Sequence, residues 1–250
     1  MPCGSMNLQK SIPGCSHRVE RAVILAAGVG NRLKPLTDST PKPLLEINGR
    51  PMIETMIEGF VSHGITEIYV VVGHLKECFE YLPHKYPGLR LIENPYYNTH
   101  NNISSLYVAR EHLKNIIICD GDLILANPAI LHPEFEFSGY CSVWADETNE
   151  WLQSVDDEGF VTDCSPNGGK NGWQLYSVSF WTESDAARLK NHLSELFYTH
   201  PHVYWDDIVM FLRKDEYRLQ IRKILESDIA EIDTLEDYQR FLEVSYDKQT

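Results

Sequence analysis

The 250-residue chain contains no window of 18 uninterrupted apolar residues, so no segment has the length and character of a bilayer-spanning helix. Its first twenty residues lack the apolar stretch of a secretory signal peptide and are broken by Pro2, Gly4, Pro13 and Gly14. Positive charge is scarce. The 22 Lys+Arg are outnumbered by 36 Asp+Glu, a net charge of −14 at pH 7. That leaves no basic stripe for the phosphates of duplex DNA or RNA and no polybasic patch for a membrane surface. The six cysteines (Cys3, Cys15, Cys78, Cys119, Cys141 and Cys164) include no C-x-x-C pair. Cys119 and Cys141 lie in apolar runs, and the set reads as buried free thiols rather than disulfides or zinc ligands. None of the ten histidines stands in an H-E-x-x-H spacing, and His200-Pro201-His202 reads as a solvated turn. A G-x-S-x-G elbow is also missing. These absences predict a cytoplasmic protein with neither nucleic acid nor membrane as a partner.

What is present is an ordinary globular composition, 43% hydrophobic and 23% charged, in a chain long enough to bury about three quarters of its unfolded surface. Residues 1–20 are polar and read as a flexible N-terminal arm, with a single domain over 21–250. Ala22-Val23-Ile24-Leu25-Ala26-Ala27 is a continuous apolar run ending at glycine, as expected of a strand buried on both faces. Pro51 as first helical residue, apolar side chains at 52, 53, 56, 57, 60 and 61, and Gly64 as terminator predict an amphipathic helix over 51–63. Buried strands follow at 68–72, 89–92 and 116–119, with a helix over 102–113. Strands alternating with helices imply right-handed crossovers and parallel pairing. Beyond residue 138, short segments at 140–145, 155, 160–161 and 173–181 read as antiparallel strands, followed by helices over 182–198, 204–213 and 234–245. The fold class is therefore α/β: a mostly parallel mixed sheet flanked by helices, with antiparallel additions in the second half.

The stretch after the first strand carries the chemistry. Gly28 and Gly30 let the backbone turn sharply and bring N–H groups against an anion. The dinucleotide fingerprint would need glycine where Leu33 stands, and a P-loop would need Gly-Lys-Ser/Thr, so neither pattern is met. What stands there is a glycine turn with two cations, Arg32 and Lys42, a combination suited to a multiply charged phosphate chain. Further on, Asp120-Gly121-Asp122 follows a buried strand, which places two carboxylates at a strand's C-terminal end, where open α/β sheets bind ligands.

The run from Leu25 to Thr37 with Pro41-Lys42-Pro43-Leu44 resembles the L-A-A-G-x-G-x-R-L-x-P-L-T-x-x-x-P-K-P-L signature of the sugar-phosphate nucleotidyltransferase superfamily. Asn98-Thr99-His100-Asn101-Asn102-Ile103-Ser104-Ser105-Leu106 is similar to the N-N-x-x-S-L of its bacterial choline-phosphate cytidylyltransferases, and the likeness extends over residues 22–245. The resemblance implies a Rossmann-like nucleotidyltransferase domain that uses CTP, phosphocholine and Mg2+. A homodimer is compatible with it.

Several site residues are implied by that resemblance. The glycine loop (Leu25, Ala26, Ala27, Gly28, Gly30) would hold the nucleotide with Asn101, Ser105 and Asp120. Arg32 would face the departing pyrophosphate, and Lys42 the α-phosphate and incoming phosphate. Asn31 replaces the usual Ser or Thr before the arginine. Ala230-Glu231-Ile232-Asp233-Thr234-Leu235-Glu236-Asp237-Tyr238 matches a terminal E-I-D-x-x-x-D-Y, making Asp233 the partner of Asp122 as metal ligand and leaving Asp237 as a helix-face charge. A hard cation also suits an acidic chain that must hold an anionic nucleotide.

For the acceptor, Trp151, Tyr204 and Asp206 match the residues that enclose a trimethylammonium head in those enzymes. A quaternary ammonium donates no hydrogen bond and is held by aromatic faces, each contact contributing roughly 0.5–2 kcal/mol. Trp181 and Trp205 fit either the cage or the core, and Ser177 stands where the family has glycine. The expected reaction is CMP transfer from CTP to phosphocholine. Phosphoethanolamine, 2-aminoethylphosphonate or a sugar 1-phosphate remain as alternative acceptors, and a non-catalytic nucleotide-binding regulator as an alternative class.

Overall fold

The apolar side chains of 22–26 point alternately to both sides of a sheet whose two faces are covered. In the computed structural model, which describes residues 16–247, Ala22, Ile24 and Ala26 pack into one core with Met56, Ile57 and Phe60 of the Met52–Ser62 helix. Val23 and Leu25 pack into the other with Leu106 and Ala109 of the Ile103–Ala109 helix and Leu189 and Leu193 of the Glu183–Leu196 helix. Burial on both faces is why these strands read as unbroken apolar runs.

The Arg21–Ala26 strand is central, parallel to Glu67–Val72 on one side and to Ile116–Asp120 on the other, and Leu89–Glu93 extends that parallel half. The second half is antiparallel. The long Gly169–Trp181 strand pairs through Val178–Trp181 with Ile116–Asp120, and also with Gly139–Thr148 and Leu152–Val155; Val161–Ser165 lies beyond Leu152–Val155. Arg222–Lys223 adds a short parallel partner to Gly139–Thr148 and completes a nine-stranded mixed sheet. Among the described residues no helix is long and apolar enough to cross a membrane.

Several boundaries differ from expectation. Residues 1–15 of the expected arm lie outside the described residues. The stretch after them is structured: His17–Arg18 pair antiparallel with Glu134–Phe135, and Val19 is buried in the core. Pro51 is the N-cap of its helix, with ψ of 136°, rather than the first helical residue. The helix expected over 102–113 tightens after Ala109 into a 3-10 turn, and the one expected over 204–213 is an α turn, Trp205–Asp207, continued by a π turn, Ile208–Leu212. Cys119, Cys141 and Cys164 are buried free thiols, whereas Cys78 is exposed; Cys3 and Cys15 lie outside the described residues.

Candidate active site

The glycine loop leaves the C-terminal end of the central strand. Gly30 adopts the left-handed conformation (φ 68°, ψ 38°), and a Cβ there would stand 3.0 Å from Thr37 Cγ2 and 3.2 Å from Lys42 Cβ. Thr37 Oγ1 donates to the Gly30 carbonyl at 2.9 Å and fastens the turn from below. Gly28 differs. A Cβ on it would meet nothing within 4 Å, because its backbone faces the open cavity. Leu33, where a dinucleotide loop would have glycine, is fully buried in a small core with Met52 and Ile232.

Residues far apart in sequence meet beside this loop because the Ile229–Glu231 strand pairs antiparallel with Leu123–Leu125, Glu231 opposite Leu123. That register carries Asp233 to Asp122. Lys42 Nζ donates to Asp122 Oδ2 at 2.5 Å and to Asp233 Oδ1 at 2.8 Å, and Arg32 Nη2 donates to Asp233 Oδ1 at 2.7 Å. Burial works against the charge of Lys42, but Asp122 and Asp233 outweigh it and hold the ammonium above its ordinary range. Arg32, 69% exposed, is anchored through Asp233.

Carboxylate oxygens of Asp122, Glu231 and Asp233 lie within 4.8 Å of one another. Asp122 Oδ1 is buried and has no hydrogen-bond partner among the described residues. Three hard oxygen donors, one of them unsatisfied, fit a divalent cation such as Mg2+, which takes carboxylates together with phosphate oxygens. Asp120, two residues before, is pushed well above the carboxylate range by burial and then by the charges of Asp122 and Asp206.

These groups border a cavity of about 450 Å3. Leu25, Ala26, Ala27, Gly28, Gly30, Arg32, Lys42, Asn101, Ser105, Asp120, Asp122, Tyr204 and Asp233 all line it, so the structure brings most of the expected site residues to one place. Asn94, at the end of the Leu89–Glu93 strand, supports one wall: its buried amide donates to Ser104 Oγ at 2.9 Å and to Ser105 Oγ at 3.1 Å. The side-chain amide of Asn101 is engaged within the protein, donating to the His202 carbonyl and accepting from the Asn102 N–H.

Trp151 and Asp206 stand behind the rim. The Trp151 ring meets Tyr204 edge-on at 6.3 Å and Phe211 at 5.3 Å, and Tyr204 is half exposed. Asp206 accepts from Tyr140 Oη at 2.7 Å, and burial pushes it up to about 7. Trp181 and Trp205 belong to the core: both are buried, Trp205 stacks on Tyr140 and Trp181 meets both rings edge-on.

Sequence reasoning missed Glu231, although it stands two residues before Asp233, the spacing that returns a side chain to the same face of an extended chain. Tyr97, His100, Asn102 and Ser104 were also missed as parts of the wall, and Asn94 as its support. Asp237 is more than a helix-face charge: it accepts from the Thr234 N–H at 3.0 Å while Thr234 Oγ1 accepts from the Asp237 N–H at 3.1 Å, a reciprocal box that starts the Leu235–Asp247 helix just after Asp233. Likewise the 200–202 turn is not merely solvated, since the Pro201 and His202 carbonyls bond Asn101.

A family model of the MobA-like NTP transferase domain matches residues 22–211. The chain is 36% identical over 235 residues to the 2-aminoethylphosphonate cytidylyltransferase of Lancefieldella rimae, covering 92% of this chain and 95% of that protein. It is 37% identical over 227 residues to the choline-phosphate cytidylyltransferase of Streptococcus pneumoniae, covering 90% and 97%. The solved structure of CTP:phosphocholine cytidylyltransferase from Streptococcus pneumoniae superposes with a TM-score of 0.82 at 36% identity, over 91% of this chain and 99% of that one. The inositol-1-phosphate CTP transferase of T. maritima, at 14% identity and TM-score 0.74, shares the fold. With a family model over residues 22–211 and relatives matched over about 90% of the chain, the chain belongs to the MobA-like NTP transferase family and is a nucleotidyltransferase.

Proposed function

We propose that the enzyme is a cytoplasmic, Mg2+-dependent cytidylyltransferase that transfers CMP from CTP to phosphocholine, giving CDP-choline and pyrophosphate. One observation carries this reading: a single cavity is lined by Lys42, Arg32, Asp122 and Asp233, with Glu231 clustered beside the two aspartates, and also by Tyr204, whose ring is backed by Trp151. The choice of cytosine rests on the relatives named above.

The chemistry asks little of the protein beyond placement. A phosphomonoester has its second pKa near about 6, so its oxygen is already a nucleophile at pH 7 and no general base is required. That oxygen attacks the α-phosphorus, and the bond to the β-phosphate oxygen breaks to release pyrophosphate. Lys42, emerging from the buried turn beside the glycine loop, orients and neutralises the reacting phosphates. Arg32, exposed and paired at its tip with Asp233, would serve the departing pyrophosphate. Gly28 leaves its backbone open to the phosphate chain. Asp122 and Asp233, with Glu231 beside them, would hold the divalent ion, which when bound supplies charge neutralisation to the phosphate oxygens. Tyr204 offers its ring to the choline head, braced edge-on by Trp151 behind it, with Asp206 as the countercharge.

A second reading changes only the acceptor, to 2-aminoethylphosphonate or phosphoethanolamine, and is favoured by the 36% identity to the L. rimae enzyme. Pyrophosphate release should be measured for four nucleotides against phosphocholine, phosphoethanolamine, 2-aminoethylphosphonate and glucose 1-phosphate, with and without EDTA. CTP with phosphocholine, abolished by EDTA, is the expected best pair. Preference for a primary amine selects the second reading, and equal use of glucose 1-phosphate sinks the aromatic cage. Nucleotide binding with no turnover on any acceptor would mark a non-catalytic regulator.

A further inference from the structure

We infer that Asn102 is a positioning residue for the acceptor wall: through the Trp205 N–H it holds the turn that carries Tyr204 and Asp206 against the cavity. This inference rests on the cytidylyl-transfer reading of the same site.

Trp205 opens the three-residue Trp205–Asp207 helix, so its N–H has no partner within that helix. Its ring is buried between Tyr140 and Trp181. Asn102, 103 residues away in sequence, supplies the missing acceptor: the Trp205 N–H donates to Asn102 Oδ1 at 2.9 Å. The residues on either side of that N–H are Tyr204, which lines the cavity, and Asp206, which accepts from Tyr140 Oη and is the countercharge of the acceptor reading.

The clamp does not stand alone. The Asn101 N–H donates to the Pro201 carbonyl at 2.7 Å, and Asn101 Nδ2 donates to the His202 carbonyl at 3.2 Å. Ser104 Oγ donates to the Asn101 carbonyl at 2.8 Å and accepts from buried Asn94. A chain of bonds therefore runs from the end of a parallel strand, through Asn101 and Asn102, to the turn bearing the acceptor residues. Because the Asn102 oxygen is committed to Trp205, its amide orientation is set, and only an oxygen at that position can do the same job.

The test is a pair of variants assayed with the full chain, Mg2+, CTP and the best acceptor from the screen. Asn102→Ala should raise the acceptor KM about tenfold at saturating CTP, with kcat and the CTP KM within about threefold of wild type. Asn102→Asp, which keeps an oxygen for the Trp205 N–H, should return the acceptor KM to within about threefold of wild type. An unchanged acceptor KM in Asn102→Ala, equal rises in both KM values, or an aspartate variant no better than alanine would each overturn the inference. Should the alanine variant not fold, the aspartate variant decides: a tenfold rise in acceptor KM with CTP KM unchanged refutes the role of the oxygen. A wild-type chain that releases no pyrophosphate with any acceptor refutes the functional reading instead, so the two failures are distinguishable.

Discussion

The two ends of the cavity are built by different physics. At the phosphate end, formal charges sit in direct contact: Lys42 on two carboxylates, Arg32 on one of them, and a third carboxylate within reach. At the acceptor end the groups are aromatic rings and one buried carboxylate, arranged by packing against Tyr140, Trp205 and Phe211. Charge clusters need a few residue types at a few positions, so they leave a signature in sequence. Ring cages depend on how a wall is braced from behind, and there burial tunes the chemistry, as the rise of Asp206 to about 7 illustrates.

The contrast breaks most visibly at the phosphate end. Lys42→Ala or Asp122→Ala should lower kcat by about 10²–10³ with every acceptor, read as pyrophosphate release, since each removes charge stabilisation from the displacement. Turnover within threefold of wild type in either variant would remove the phosphate assignment. At the acceptor end, loss of a ring should be smaller and selective. Trp151→Ala should raise the phosphocholine KM about 2–30-fold, the range of one cation–π contact, with the CTP KM nearly unchanged.

Asp206 sharpens the comparison through pH. Its folded value, about 7, lies above the 3.8 expected of a free aspartate. Between those values the folded chain keeps a proton that the unfolded chain has released, so stability falls as pH rises through that window and levels off above 7. Asp206→Asn should therefore raise Tm at pH 8, by about 2–4 °C for each kcal/mol relieved, with the gain vanishing near pH 4. The wild-type acceptor KM should also fall from pH 6 to 8 more steeply than that of the variant, as the countercharge ionises.

The smallest effects separate the two glycines. Gly28→Ala should leave Tm within about 1 °C and raise the CTP KM, because its Cβ would enter the cavity. Gly30→Ala should destabilise the fold by about 1 kcal/mol, because φ is 68° and Thr37 and Lys42 are close. A Gly28 variant that melted early and bound CTP normally would reverse these assignments.

Much of the fold was legible. Runs such as 22–27 and 116–119 announce doubly buried parallel strands, and the 3.6-residue spacing after Pro51 announces its helix. The π turn at Ile208–Leu212 was not, because its apolar spacing matches an ordinary helix until packing stretches it. Nor was the pairing of His17–Arg18 with Glu134–Phe135, which no local feature of a polar segment specifies. In the site, Arg32, Lys42 and the Asp122–Asp233 pair follow from motif; Glu231 and Asn102 stand inside matched motifs but their roles did not follow, and Asn94 stands in none, since asparagine and glutamate are ordinary surface residues until a partner is seen.

From the residues alone came the glycine turn, its two cations and the Asp120-Gly121-Asp122 carboxylates, because phosphate chemistry demands fixed residue types at short, regular spacings after a strand. Tertiary structure decided how those charges meet and what faces them. The antiparallel register of Ile229–Glu231 on Leu123–Leu125 brings Asp233 to Asp122, and hydrogen bonds spanning more than a hundred residues tie Asn101 and Asn102 to the turn that bears Tyr204 and Asp206. Contacts of that range depend on packing and pairing between distant segments, and no local pattern encodes them.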